Sequence, residues 1–122
     1  MILFYLASPY SKFRQGHLAA AELACREAGR LIRARVPVFS PIAHSHWIAE
    51  LCKMDALDHG IWLPADAPMM IAATGIIMLR AEGWEKSYGM GCELTEFRAA
   101  GKRVVWMDPG HVPGELLREF AP

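Results

Sequence analysis

The sequence predicts an α/β protein with three layers, in which helices cover both faces of a parallel sheet of four to five strands. Short and nearly uninterrupted apolar runs recur along the chain, and such runs are typical of strands that are buried on both faces. Longer segments with apolar residues at helical spacing separate these runs. Strands that alternate with helices pair in parallel through right-handed crossovers.

The individual elements follow from the same patterns. The predicted strands are residues 2–6, 36–39, 75–79 and 104–107. The predicted helices are residues 12–35, 44–53, 88–101 and 113–120, with a short helical stretch that ends at 73. The region 54–68 is difficult to assign because Gly60, Pro64 and Pro68 interrupt every pattern in it. The succession as a whole is typical of a flavodoxin-like or Rossmann-like sheet.

Composition limits both the architecture and the class of function. We expect residues 1–122 to form a single domain, because a chain of this length can bury one core. Thirteen basic and thirteen acidic residues give no net charge, which argues against binding to a nucleic-acid polymer. No apolar run approaches the roughly 20 residues of a membrane span, and the apolar start lacks the basic segment of a signal peptide. We therefore expect a cytoplasmic protein without a membrane partner.

Residues 83–94 link the third strand to the helix that follows it, and open α/β sheets place their ligands beside such turns. Ser87 is a good N-cap, and the unpaired N–H groups of a helix start favour an anion such as phosphate. Gly89 and Gly91 weaken a helix, which indicates a close approach to a ligand or a neighbouring strand. The side chain of Glu93 leans back toward the turn. The alternatives are an ordinary capped helix, glycines used in packing, and a solvated glutamate.

The sequence of this turn resembles a known signature. Residues 87–94, continued by 99–102, are similar to the signature of the nucleoside 2-deoxyribosyltransferase superfamily. Residues 4–11 resemble the first strand and loop of that superfamily, and with residues 83–87 they are most similar to a phage- and bacteria-associated branch. Its members include transferases that exchange nucleobases and hydrolases that cleave nucleoside 5′-monophosphates.

The resemblance implies roles for four residues. It makes Glu93 the nucleophile, Ser87 the contact on the phosphate side and Tyr5 the tyrosine near the sugar. Asp66 falls where the hydrolases carry a second acid. From its own surroundings Asp66 is equally well interpreted as the N-cap of a short helix, because Ala67 and Pro68 follow it.

Two residues depart from the pattern of the superfamily. Thr74 stands where relatives commonly have Asp, and Ser8 replaces a usual Gly. The loop at 80–83 is also longer than usual. The change at Thr74 favours an alternative function, that of a noncatalytic module that binds and senses a nucleotide.

Further binding residues are expected at the carboxyl ends of the strands. Ser8 and Tyr10 follow the first strand in a short polar loop, and His44 follows the second. Trp84 lies beyond the third strand, where it either stacks on a base or closes the loop against the core.

Metal and cofactor chemistry is not expected. His46 and Glu50 are one helical turn apart with His44 nearby, which permits a metal site, but a polar loop at the mouth of the site is the preferred interpretation. A flavin is disfavoured because the loop after the first strand lacks a phosphate cradle rich in Ser, Thr and Gly. The three cysteines have no metal spacing and are interpreted as free thiols.

The preferred function is cleavage or transfer at the N-glycosidic bond of a nucleoside or a nucleoside 5′-monophosphate. A carboxylate at Glu93 would stabilise the positive charge on the sugar or form a covalent intermediate. Asp66 would supply a proton to the departing base. Tyr5 or Tyr10 would hold Glu93 and the sugar in register. The resemblance and the apolar surplus are also compatible with a homo-oligomer.

Overall fold

Four strands form one parallel sheet, as the sequence predicts. The computed structural model describes residues 1–122. The strands are β1 (Phe4–Ala7), β2 (Val38–Phe39), β3 (Gly75–Leu79) and β4 (Arg103–Met107). Their order in the sheet is β2-β1-β3-β4, which is the flavodoxin-like arrangement. Phe4 lies opposite Gly75 and Ala7 opposite Met78, so the carboxyl ends of the two central strands meet at one edge.

Five helices cover the two faces of the sheet and confirm the three-layer α/β fold. They are α1 (His17–Arg33), α2 (Pro41–Cys52), α3 (His59–Ala72), α4 (Tyr88–Ala99) and α5 (Gly114–Glu119). One core cluster joins Phe4 and Leu6 of β1 to Leu31 of α1 and Leu116 of α5. The opposite face of the sheet is covered mainly by α4. None of the helices combines the length and the apolar character that crossing a membrane needs.

The second core cluster lies between the sheet and α4. Tyr5 and Ile76 project from the sheet toward Met90 and Phe97 of the helix. Because successive side chains of a strand point to opposite faces, Tyr5 lies on this side whereas Phe4 and Leu6 lie on the other. The alternation therefore aims the single tyrosine of β1 at α4.

Two predicted helix starts were wrong. The first helix was expected from residue 12 but begins at His17, after a turn in which Gly16 has a φ of 100°. The second was expected from His44 but begins at Pro41, because Ser40 acts as its cap and accepts a hydrogen bond from the Ala43 N–H at 3.1 Å. His44 is consequently a helical residue and does not belong to a loop.

Of the two interpretations left open for Asp66, the one as an N-cap is wrong. The cap of α3 is Asp58, whose Oδ1 accepts from the Gly60 N–H at 2.9 Å. Asp66 lies in the middle of this 14-residue helix, which includes both Pro64 and Pro68. Each proline removes one backbone donor from the helix, and this is why the sequence pattern concealed it.

Helix α3 contacts the rest of the protein near both ends: the His59 ring lies 4.7 Å from the Tyr88 ring of α4, and Lys102 binds the last turn. It contributes no fully buried residue, and a groove of about 460 Å³ separates it from α4. The Lys102 ammonium donates hydrogen bonds to the carbonyl oxygens of Met70 and Ile71, at 2.9 and 2.8 Å. These contacts satisfy two of the carbonyl groups that a helix end leaves unpaired.

Adjacent residues of α1 give a direct test of the core. Leu31 is 0% exposed and Ile32 is 62% exposed. Leu31→Ala is expected to lower the free energy of unfolding by about 2–5 kcal/mol, because it leaves a cavity under the sheet. Ile32→Ala should cost less than about 1 kcal/mol. Urea denaturation of both variants measures the difference, and equal losses would contradict the packing of α1.

Candidate functional site

The site lies where the order of the strands reverses. From β1 the chain passes to β2 on one side, whereas β3 pairs with β1 on the other side. The loops that leave β1 and β3 therefore diverge and open a crevice at the carboxyl edge of the sheet. Parallel α/β sheets bind their ligands at such switch points.

A cleft occupies this position, and α2, α3, α4 and the loop after β1 form its walls. Six of the predicted site residues line it: Ser8, Tyr10, Asp66, Ser87, Gly89 and Glu93. The enclosed part has a volume of about 70 Å³. Typical ligand pockets measure roughly 300–1,000 Å³, so a nucleoside-sized ligand would extend into the open mouth.

Glu93 is the central acid of the cleft. It lies on the buried side of α4 with 8% of its surface exposed. The Tyr5 hydroxyl donates a hydrogen bond of 2.5 Å to Glu93 Oε2. The Tyr5 ring is packed against Phe39 and Phe97, with ring centroids at 6.2 and 5.6 Å. The sheet therefore fixes the carboxyl group through a rigid donor, and Oε1 is not involved in that bond.

The two acids of the site have raised pKa values. Burial raises the pKa of Glu93 to about 8; the Tyr5 hydrogen bond opposes this rise and the nearby charge of Asp66 adds to it. Burial raises the pKa of Asp66 to about 6, and the charge of His44 opposes this rise. Burial and the Glu93 charge raise the pKa of Tyr5, so its hydroxyl remains a donor. The pair of acids consequently holds one proton near neutral pH.

Ser87 begins α4 as its N-cap. Its hydroxyl accepts a hydrogen bond from the Met90 N–H at 3.2 Å. The first turn of the helix faces the cleft through Gly89, whereas Gly91 does not line it. A Cβ atom at either glycine would meet no protein atom within 4 Å, so the expected close approach to a neighbouring strand is not observed.

Besides Gly91, two predicted binding residues lie outside the cleft. The Trp84 ring packs edge-on against Trp106, with centroids 5.6 Å apart, and belongs to the second core cluster. Trp84 therefore closes the loop against the core. His44 packs against the ring of Phe39 at 5.6 Å, and it influences the cleft only through its charge near Asp66.

The sequence did not identify His46 as a site residue. This histidine is 3% exposed and lines the cleft, and its Nδ1 lies 2.7 Å from the Tyr10 hydroxyl. The Ser40-Pro41 start of α2 was the available signal, because it fixes which face of the helix is turned to the sheet. No group of three or more His, Cys, Asp or Glu side chains is arranged to hold a metal ion.

Thr74 lies at the opposite edge of the sheet from the cleft. It precedes β3, and its hydroxyl both donates to the Leu3 carbonyl oxygen and accepts from the Leu3 N–H, each at 3.1 Å. The cleft lies beyond the other end of the strand. Thr74 therefore tethers the amino end of β3 to that of β1 and does not line the cleft.

Comparisons with known proteins agree with this architecture. The family model of a domain of unknown function, DUF1937, matches residues 3–109. A 2-deoxyribosyltransferase from the psychrotolerant bacterium Bacillus psychrosaccharolyticus superimposes with a TM-score of 0.61 and 16% identity. The alignment covers 96% of this chain and 80% of that enzyme. This similarity establishes the fold. No curated protein sequence matches the chain.

The raised pKa of Glu93 predicts a pH-dependent stability. Below pH 4.5, the ordinary pKa, Glu93 is protonated in both the folded and the unfolded state. Between pH 4.5 and about 8 the unfolded chain releases this proton and the folded chain keeps it, so stability falls as pH rises through this window. Glu93→Gln should abolish this part of the fall, which is on the order of a few kcal/mol.

Urea denaturation at about pH 5 and about pH 9 measures the effect in both proteins. The free energy of unfolding of Glu93→Gln, minus that of the unmodified protein, should be larger at about pH 9 than at about pH 5. Glu96→Gln, at an exposed position one turn further along α4, is the matched control. An equal pH dependence of all three proteins would show that Glu93 ionises freely.

Proposed function

The chain belongs to the DUF1937 family, and we propose that it cleaves or transfers at the N-glycosidic bond of a nucleoside or a nucleoside 5′-monophosphate. The fold shared with a 2-deoxyribosyltransferase supports this proposal. The observation that carries it is the buried Glu93 carboxyl, oriented by Tyr5 in the crevice at the carboxyl edge and accompanied by Asp66.

In the first step the bond between C1′ and the base nitrogen breaks while an oxygen of Glu93 bonds to C1′. Positive charge develops on the sugar in the transition state, and an ionised Glu93 beside C1′ stabilises it. Asp66 donates its proton to the departing base, which then leaves as a neutral molecule. Tyr5 keeps the carboxylate in position through its hydrogen bond to Oε2.

In the second step an acceptor attacks C1′ and releases Glu93. The acceptor is water in a hydrolase and a second base in a transferase. The proton lost by the acceptor passes to the Asp66 carboxylate, which restores the starting state. Ser87 and the start of α4 would receive a 5′-phosphate, because helix N-termini favour anions.

A noncatalytic nucleotide-binding module is the second candidate. The observation that favours it is the raised pKa of Glu93, because a carboxyl group with a pKa of about 8 is mostly neutral at pH 7. Thr74 no longer supports this alternative, since it lies away from the cleft. Turnover between about pH 6 and about pH 8, where the pair holds one proton, separates the two functions.

We propose that residues 1–122 form one domain that acts on a small molecule. We further propose that the protein is cytoplasmic and forms a homo-oligomer. Exposed apolar side chains support self-association: Trp47 and Leu51 on α2, and Ile61 and Ile71 on α3. Apolar side chains of this kind would be covered in an interface between subunits. Sedimentation of the purified protein reports its oligomeric state.

The principal test is release of free base. The protein is incubated with ribo- and deoxyribonucleosides and their 5′-monophosphates, with and without an acceptor base, and free base is followed by chromatography. Glu93→Gln should reduce release to the background rate, and Asp66→Asn should lower it by about 10²–10⁴-fold. Glu96→Gln is the folded control. If no substrate releases base but ligands raise the melting temperature, the binding module is favoured.

The pH dependence of the rate follows from the two acids. The productive state has one proton on the pair, with Glu93 ionised and Asp66 protonated. This is the minor of the two one-proton forms, because the higher pKa of Glu93 favours the proton on Glu93. A profile of kcat/KM against pH should therefore be bell-shaped, with limbs near pH 6 and pH 8 and a maximum between them. A rate that rises monotonically to high pH would contradict the role of Asp66 as an acid.

Tyr5→Phe should shift this profile in a defined direction. Loss of the hydroxyl removes the hydrogen bond that favours the Glu93 carboxylate, so the upper limb should move to higher pH and the maximum should fall. Tyr88→Phe alters an exposed tyrosine on α4 and should leave the profile in place. An unchanged upper limb in Tyr5→Phe would refute the coupling between Tyr5 and Glu93.

A further inference from the structure

Ser8 has a buried hydroxyl without a hydrogen-bond partner in the protein. The residue immediately follows β1 and is 4% exposed, and its Oγ contacts no donor or acceptor. Buried hydroxyl groups are nearly always hydrogen-bonded, because an unpaired one loses its water without compensation. Ser8 lines the cleft, so a bound ligand is positioned to supply the missing partner.

The imidazole of His46, on α2, is a second polar group that faces the same cleft. The Tyr10 hydroxyl lies 2.7 Å from His46 Nδ1. Burial raises the pKa of Tyr10, which keeps its hydroxyl protonated and able to donate. With Nδ1 as the acceptor, the neutral imidazole carries its proton on Nε2. This N–H has no partner in the protein and is therefore a donor for a ligand.

The surroundings of Ser8 and His46 favour an uncharged ligand group. The neighbouring part of the cleft wall includes three apolar residues of α2, Pro41, Ile42 and Ala49, beside the small polar residue Ser45. A flat ring with hydrogen-bonding atoms at its edge fits a wall of this kind, because ligand pockets combine apolar surface with a few well-placed polar groups. An anionic group is better matched to the first turn of α4.

We propose that Ser8 and His46 form a sub-site for the nucleobase, in which His46 Nε2–H donates to an acceptor atom of the base and Ser8 Oγ makes a second hydrogen bond to its edge. Tyr10 is a positioning residue, because it acts by fixing the tautomer of His46. This sub-site rests on the proposed function, because it assumes that the ligand is a nucleoside or a nucleoside monophosphate.

Calorimetric titration of the full chain with free bases tests this sub-site without requiring turnover. Adenine, hypoxanthine, cytosine and thymine are the probes, and ribose and 2-deoxyribose are titrated separately. Ser8→Ala should weaken binding of the preferred base by about 3- to 10-fold, the effect of one hydrogen bond, and leave sugar binding unchanged. It should not lower the melting temperature of the free protein, because the hydroxyl is unpaired there.

A double variant, Tyr10→Phe with His46→Phe, removes both partners of the buried hydrogen bond together. Such paired replacement is well tolerated in folded proteins, so loss of base binding in this variant is not a consequence of unfolding. Its melting temperature checks that point. Thr74→Val removes a hydroxyl at the opposite edge of the sheet and should keep the full affinity for the base.

Three results would overturn the sub-site. They are an unmodified protein that binds none of the bases, base affinities that are equal in the unmodified protein and both variants, and a loss that affects the sugars instead of the bases. Failure of the proposed function can be distinguished from failure of the sub-site. Base binding that depends on Ser8 in a protein without glycosidic turnover would leave the sub-site in place and exclude the enzyme.

Discussion

The hydrogen bond from Tyr5 to Glu93 is the interaction on which the site depends. It joins the second residue of β1 to the middle of α4, two elements separated by 88 positions in the chain. The bond is buried because Phe39 and Phe97 enclose the tyrosine ring. An acid in such surroundings is costly when ionised, and the tyrosine offsets a part of that cost. The candidate catalytic group is therefore held directly by a residue of the core.

The topology of the sheet determines which residues meet at the site. Alternation along β1 directs Tyr5 to the α4 face, and the reversal of strand order brings the loop after β1 beside the start of α4. Ser8, Asp66 and Ser87 come from three separate segments and meet in the cleft for this reason. The opposite edge of the sheet contains Thr74, whose hydrogen bonds serve only to join two strands.

Local patterns in the sequence were sufficient for most of the fold. Residues 75–79 were predicted as a strand with the bounds that the structure has, and Ser87 was identified as a cap. Helix α3 was concealed by its two prolines. The neighbours of Glu93 were predicted through family resemblance, because no local pattern specifies a partner in another element. The contact between His46 and Tyr10 joins residues 36 positions apart, and only tertiary packing reveals it.

The two acids of the cleft are anchored to very different degrees. Glu93 is attached to the sheet through Tyr5, whereas Asp66 lies on a helix that buries no residue fully and is secured near its end by Lys102. Displacing α3 would therefore expose less buried surface than displacing the buried Tyr5–Glu93 pair. We expect any adjustment of the cleft to the size of a ligand to come from the wall that carries Asp66.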